Sequence, residues 1–127
     1  MSRVVLDSSA FLAYANNEEG GAAVGALLTL SVISAVNVCE IATKIVAAGR
    51  SVEDAHFILL SAGVEIVDFD AGLAVAAGGM IVRTKPYGLS LGDRACLALA
   101  VRENIPALTA DRAWKGVDVG IPIQFIR

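Results

Sequence analysis

Short runs of β-branched and aliphatic residues alternate, from one end of the chain to the other, with longer Ala- and Leu-rich segments bounded by capping residues. Arg3 to Asp7, Leu30 to Ile33, Val64 to Val67, Pro106 to Thr109 and Ile121 to Ile126 read as strands, and the segments between them read largely as helices. Strands joined through helices run parallel, and right-handed crossovers set those helices on both faces of the sheet. The expected architecture is therefore a three-layer α/β/α domain over residues 1–127, with a central, mainly parallel sheet of about five strands.

Capping residues set the expected helix bounds. Ser8 or Ser9 caps a helix through Tyr14, a polar turn follows from Asn16 to Gly21, and a second helix runs to about Leu28. A third runs from Ala35 to Ala48, with Gly49 placed for a left-handed C-cap. Ser51 and Asp54 form a near capping box for a helix from Val52 to Ala62, stopped at Gly63. Asp70 caps a helix from Ala71 to about Arg83, in which Gly78-Gly79 is a weak point of roughly 1 kcal/mol per glycine relative to Ala. Lys85-Pro86-Tyr87-Gly88 reads as a loop, Ser90 caps a helix from Leu91 to Glu103, and Asp111 opens a short helical turn carrying Trp114.

Composition narrows the class. Hydrophobic residues make up 56% of the 127 and charged residues 18%, an apolar excess that fits buried parallel strands or an obligate interface such as a homodimer. A net charge of -3 and a pI near 5.0 argue against nucleic-acid binding driven by overall charge, though not against a nucleic-acid enzyme. Cys39 and Cys96 lack any CxxC or Cys/His spacing and read as buried free thiols, and His56, beside Glu53 and Asp54, reads as a surface helix residue. Gly20 to Cys39 carries no charge and reaches the roughly 20 residues a bilayer span needs. Its polar interruptions and the β-branched pair Val32-Ile33 read better as helix, strand, helix. Asp7 ends the first apolar run before any signal-peptide core develops, so the expectation is a soluble, cytoplasmic protein without a membrane segment.

Within this apolar sequence four acids, Asp7, Glu40, Asp93 and Asp111, each stand where an apolar segment meets a polar edge. A carboxylate in apolar surroundings takes up a proton, pairs with a base or binds a cation. Asp7 and Asp111 follow strands, so both can project from the carboxyl edge of a parallel sheet, where sites of such sheets form. Glu40 and Asp93 would come from helices, Asp93 in a first turn favoured by the helix dipole. Each has a plainer reading. Asp7 could open a turn, Glu40 could pair with Lys44, Asp93 could only complement its helix, and Asp111 could be an N-cap. Taken together these readings require four coincidences at one edge, and a single metal site accounts for all of them.

The segments Val5-Leu6-Asp7-Ser8-Ser9, Ser34 six residues before Glu40, Leu89-Ser90-Leu91-Gly92-Asp93-Arg94-Ala95-Cys96-Leu97-Ala98, and Thr109-Ala110-Asp111-Arg112 followed by Trp114 resemble the PIN-domain ribonucleases, in particular the VapC-type toxins of toxin-antitoxin pairs. The resemblance covers essentially the whole chain. It implies a PIN-like fold and a Mg2+- or Mn2+-dependent endoribonuclease, with Asp7, Glu40, Asp93 and Asp111 as the catalytic, metal-holding acids. It further implies Ser8 and Thr109 as supporting hydroxyls, Arg94, Arg112 and Lys115 as phosphate contacts, an RNA substrate, a small cognate antitoxin and a homodimer. One departure stands out. Relatives often carry Thr or Ser a few residues before the helical acid, where this chain reads Val36-Asn37.

Other readings of an Asp after the first strand fit less well. A haloacid-dehalogenase-type phosphotransferase needs a second Asp two residues on, where Ser9 stands, and a receiver domain needs an acidic pair near the first strand. A PIN-fold RNA-maturation nuclease and a non-catalytic interaction module are the alternatives that keep the fold.

Overall fold

A computed structural model describes residues 2–127. Strands β1 (Val4–Leu6), β2 (Ser31–Ser34), β3 (Glu65–Val67), β4 (Ala107–Thr109) and β5 (Ile123–Phe125) form one sheet in the order β3-β2-β1-β4-β5. Every neighbouring pair is parallel, with Leu6 opposite both Ile33 and Leu108. The central strands β1, β2 and β4 are buried along their whole length, as expected of parallel strands covered on both faces, whereas the edge strands β3 and β5 are only partly covered.

Side-chain alternation along these strands builds two cores. Leu6, Ile33 and Leu108 point to one face, where they pack with Phe11, Ile41 and Leu59 from helices α1 (Ser8–Ala15), α3 (Ala35–Ala47) and α4 (Val52–Ala62). Val5, Val32 and Ala107 point to the other, against Leu97, Leu99 and Trp114, a core supplied mainly by helix α7 (Leu91–Glu103). Helix α2 (Gly21–Gly25) packs on α1, and α5 (Ala71–Gly79) packs on α7. The result is the three-layer α/β/α arrangement that the alternation of elements predicts. Among the described residues, no helix is long and apolar enough to cross a membrane.

Several local expectations are corrected. The cap of α1 is Asp7, not Ser8 or Ser9: its backbone is extended and its carboxylate accepts the Ala10 N–H at 2.9 Å. Helix α2 stops at Gly25, and a 3-10 turn over Leu28–Leu30 leads into β2. The single helix expected from Ala71 to Arg83 is broken at Met80 into α5 and α6 (Ile81–Thr84). Weak helix propensity at Gly78-Gly79 permits the break, and the Ala77 carbonyl accepts the Arg94 guanidinium at 3.1 Å. Lys85–Tyr87 is a 3-10 turn rather than an irregular loop. Both cysteines are free; Cys96 is buried as expected, but Cys39 is exposed on α3. The capping box at Ser51 and Asp54 is complete, with both reciprocal hydrogen bonds formed.

Candidate active site

The carboxyl ends of β1 and β4 lie side by side at the centre of the sheet, and the helices that follow β2 and precede β4 close over them. Asp7, one residue past β1, is almost fully buried. Its Oδ1 accepts the Ala10 N–H and the Ser9 hydroxyl at 2.9 and 2.8 Å, and its Oδ2 accepts the Thr109 hydroxyl at 2.8 Å. Thr109 in turn accepts the backbone N–H of Asp111 at 3.0 Å, so one hydroxyl joins the ends of the two strands. The Asp111 carboxylate caps the 3-10 turn Arg112–Trp114 by accepting the Ala113 N–H at 2.9 Å through Oδ1.

Glu40 and Asp93 approach from the helices. Oε1 of Glu40 accepts the Ser8 hydroxyl at 3.0 Å and the Asn37 side-chain amide at 2.9 Å. The ion pair with Lys44 that helix spacing would permit is not formed; the ion pairs among the described residues are Arg3–Glu65, Arg50–Asp54, Arg102–Asp70 and Arg127–Glu18. Asp93 completes a capping box with Ser90, its Oδ2 accepting the Ser90 N–H at 2.9 Å.

The plain capping roles of Asp7, Asp93 and Asp111 are thus real, and they coexist with convergence. Burial is the main cause that raises the Asp93 carboxyl above its ordinary value, with further contributions from the charges of Asp111 and Glu40. Burial likewise pushes Asp7 from 3.8 to about 6, against the lowering effect of its three hydrogen-bond donors and with a further rise from Asp93. Beneath them the Cys96 thiol is raised well above its usual value by burial and by the charges of Asp7, Asp93 and Glu40. The four acids therefore share one electrostatic neighbourhood, and none of them has a cationic partner among the described ion pairs.

The donor chemistry fits a hard divalent cation. Glu40, Asp93 and Asp111 each use one oxygen in a hydrogen bond and leave Oε2, Oδ1 and Oδ2, respectively, without one. Among the described residues, no three acidic, histidine or cysteine side chains stand close enough together to enclose an ion in this conformation. Mutual repulsion of this kind is relieved by a proton or by a cation.

Of the basic residues expected near the site, Arg94 is half-buried and donates to the Ala77 carbonyl. Arg112 lies over the Phe125 ring at 4.8 Å and donates to the Arg127 carbonyl at 3.2 Å, while Lys115 is exposed. Three contributors escape a reading of the sequence. Ser9 serves both Asp7 and the Ala110 N–H, Asn37 serves Glu40, and Gly92 makes room for Glu40, since a Cβ there would overlap its carboxylate. The departure at Val36-Asn37 was the one available signal for Asn37.

Residues 4–120 match the family model of the PIN domain. No curated protein matches the sequence. Among solved structures, the fold is similar to DNA-bound VapBC from Salmonella typhimurium, at 19% identity over 100% of both chains with a TM-score of 0.73. It is also similar to a toxin-antitoxin complex from Klebsiella pneumoniae, at 17% identity over 98% of both chains with a TM-score of 0.73. VapC20 of Mycobacterium tuberculosis, a toxin that cleaves the sarcin-ricin loop, is similar at 19% identity over 94% of this chain and 99% of that one, with a TM-score of 0.72.

Proposed function

Because this chain belongs to the PIN-domain family, we propose that it is a metal-dependent endoribonuclease acting as the toxin of a toxin-antitoxin pair. The observation that carries the reading is the gathering of Asp7, Glu40, Asp93 and Asp111 at one sheet edge, without cationic partners and with unengaged oxygens on three of them. Capping accounts for each of Asp7, Asp93 and Asp111 singly, whereas a shared metal accounts for their being brought together with Glu40.

In this reading Asp7, Glu40, Asp93 and Asp111 would hold Mg2+ or Mn2+, which would supply Lewis-acid polarisation of a phosphate and activation of water. The protein's own contribution is positional. Ser9 and Thr109 hold the Asp7 carboxylate through both oxygens, Ser8 holds Glu40, and the Ser90 backbone holds Asp93. Burial around Asp7 and Asp93 keeps water from screening their charge, which strengthens a cation's hold. Lys115, exposed beside the turn that Asp111 caps, and Arg112 are assigned to flanking RNA phosphates, whereas Arg94 is engaged with the Ala77 carbonyl.

Toxin-antitoxin neighbours from Salmonella and Klebsiella support a small antitoxin as the partner. Val52, Phe57 and Leu60 of α4 and Ile66 of β3 are exposed apolar side chains of the kind an antitoxin or a second copy would cover. The reading places the protein in the cytoplasm, where its RNA substrate is.

Cleavage of a panel of structured RNAs by the partner-free protein, with Mn2+ or Mg2+ against EDTA, tests the proposal. Metal-dependent cuts that vanish in Asp93→Asn are the expected result. Cutting that survives EDTA, or that Asp93→Asn retains in full, would overturn it, and a protein that neither cuts nor binds Mn2+ would be an interaction module built on the same fold.

A further inference from the structure

Asn37 is buried on the inner face of α3, three residues before Glu40, and its amide nitrogen makes two contacts. One hydrogen goes to Oε1 of Glu40 at 2.9 Å and the other to the backbone carbonyl of Gly92 at 3.1 Å. This fixes the orientation of the amide, because a flipped side chain would set its oxygen against two acceptors. Its Oδ1 is buried without a partner. An orphaned acceptor costs stability, so a residue present only to fill space between α3 and α7 would be better served by an apolar side chain.

The contacts around Asn37 select one oxygen of Glu40. Asn37 and Ser8 both donate to Oε1, leaving Oε2 without a hydrogen bond. Gly92 complements them from the facing helix. Its backbone is not left-handed, so glycine is not needed there for conformation. It is needed for space, since any Cβ would collide with both carboxylate oxygens of Glu40.

Resting on the nuclease reading, we propose that Asn37 is the positioning residue for Glu40, tying Oε1 to the first turn of α7 beside Asp93 and leaving Oε2, over Gly92, as the oxygen open to the cation. Asn37 touches neither metal nor RNA. It acts through Glu40, which would otherwise be free to rotate its carboxylate away from Asp93, whose charge opposes it.

Mn2+ titration of the purified, RNA-free protein by calorimetry, run on wild type, Asn37→Ala, Glu40→Gln and the double variant, tests this. Expected is a loss of Mn2+ affinity of at least about tenfold in Asn37→Ala, with the double variant no weaker than Glu40→Gln alone, since a residue that acts only through another adds nothing once the other is gone. Gly92→Ala approaches the same carboxylate from α7 and gives the answer should Asn37→Ala fail to fold. There the melting temperature should hold or rise while Mn2+ affinity falls, a split that a merely structural role would not produce. Wild-type affinity in Asn37→Ala or Gly92→Ala, or losses that add in the double variant, would overturn the positioning role and leave the nuclease reading intact. A wild-type protein that neither binds Mn2+ nor cuts RNA would instead remove the nuclease reading, and this role with it.

Discussion

Thr109 and Asp7, 102 residues apart in the chain, are joined by a hydrogen bond of 2.8 Å from the threonine hydroxyl to Oδ2 of the carboxylate. The same hydroxyl accepts the Asp111 N–H, so replacing it leaves that N–H without its acceptor and the buried Asp7 carboxylate with one donor fewer. Thr109→Val keeps the shape and removes both functions. It should cost about 1–3 kcal/mol in urea denaturation, with Thr109→Ser retaining most of the wild-type value. An unchanged midpoint in Thr109→Val would show that the hydroxyl is dispensable to the strand edge.

Burial lifts the Asp7 carboxyl from 3.8 to about 6 in the folded protein. An acid whose folded value lies above its unfolded one binds more protons folded than unfolded, so its contribution is complete below pH 4 and is lost as pH rises through about 6. The cost of the ionised form is on the order of 3 kcal/mol. In metal-free buffer, stability should therefore fall between about pH 4 and pH 7. Asp7→Asn should flatten that fall without abolishing it, because Asp93 is raised as well. Identical pH profiles for the two proteins would refute the assignment.

Asp7→Asn should also be at least as stable as wild type at pH 7.5 without metal, while losing RNA cleavage altogether. An amide at this position still accepts the Ala10 N–H, and the Ser9 and Thr109 hydroxyls can turn to accept from it. Thermal melts with and without Mn2+ provide the measurement, and metal should raise the wild-type melting temperature more than that of the variant.

Arg94 is anchored to the Ala77 carbonyl where α5 breaks. Arg94→Gln should lower the melting temperature by several degrees, with little change in the RNA affinity of the folded protein. A large fall in RNA affinity at unchanged stability would make Arg94 a phosphate contact instead.

Cys39 is exposed and Cys96 buried with its thiol raised. A thiol reagent at pH 8 should modify one cysteine in the native protein and the second only in denaturant. Rapid reaction of both would place Cys96 outside the core.

Local rules account for what could be read in the sequence. The strand runs, the capping box at Ser51 and Asp54, and the bounds of α7 each depend on residues a few positions apart, and each appears where those rules put it. Competition between neighbours defeats such rules. Three consecutive candidates, Asp7, Ser8 and Ser9, can all cap α1; Asp7 does so, and the serines are drawn to Glu40 and to Asp7 itself. The contact of Arg94 with the Ala77 carbonyl at the break spans 17 residues, and that between Asn37 and Gly92 spans 55. No window along the chain contains either pair. The acid set was readable as four residues at segment edges, but which oxygen of each stays unengaged is a property of the folded edge alone.

The pairing of β4 directly beside β1 governs timing as well as place. As the chain is made from its amino end, Asp7, Glu40 and Asp93 are all synthesised before the strand that carries Thr109, and until that strand docks Asp7 lacks its long-range donor and Asp111 is absent. A stalled or truncated product holds most of the acids but not the finished edge, so whatever the site does is withheld until β4 and the turn that follows it are in place.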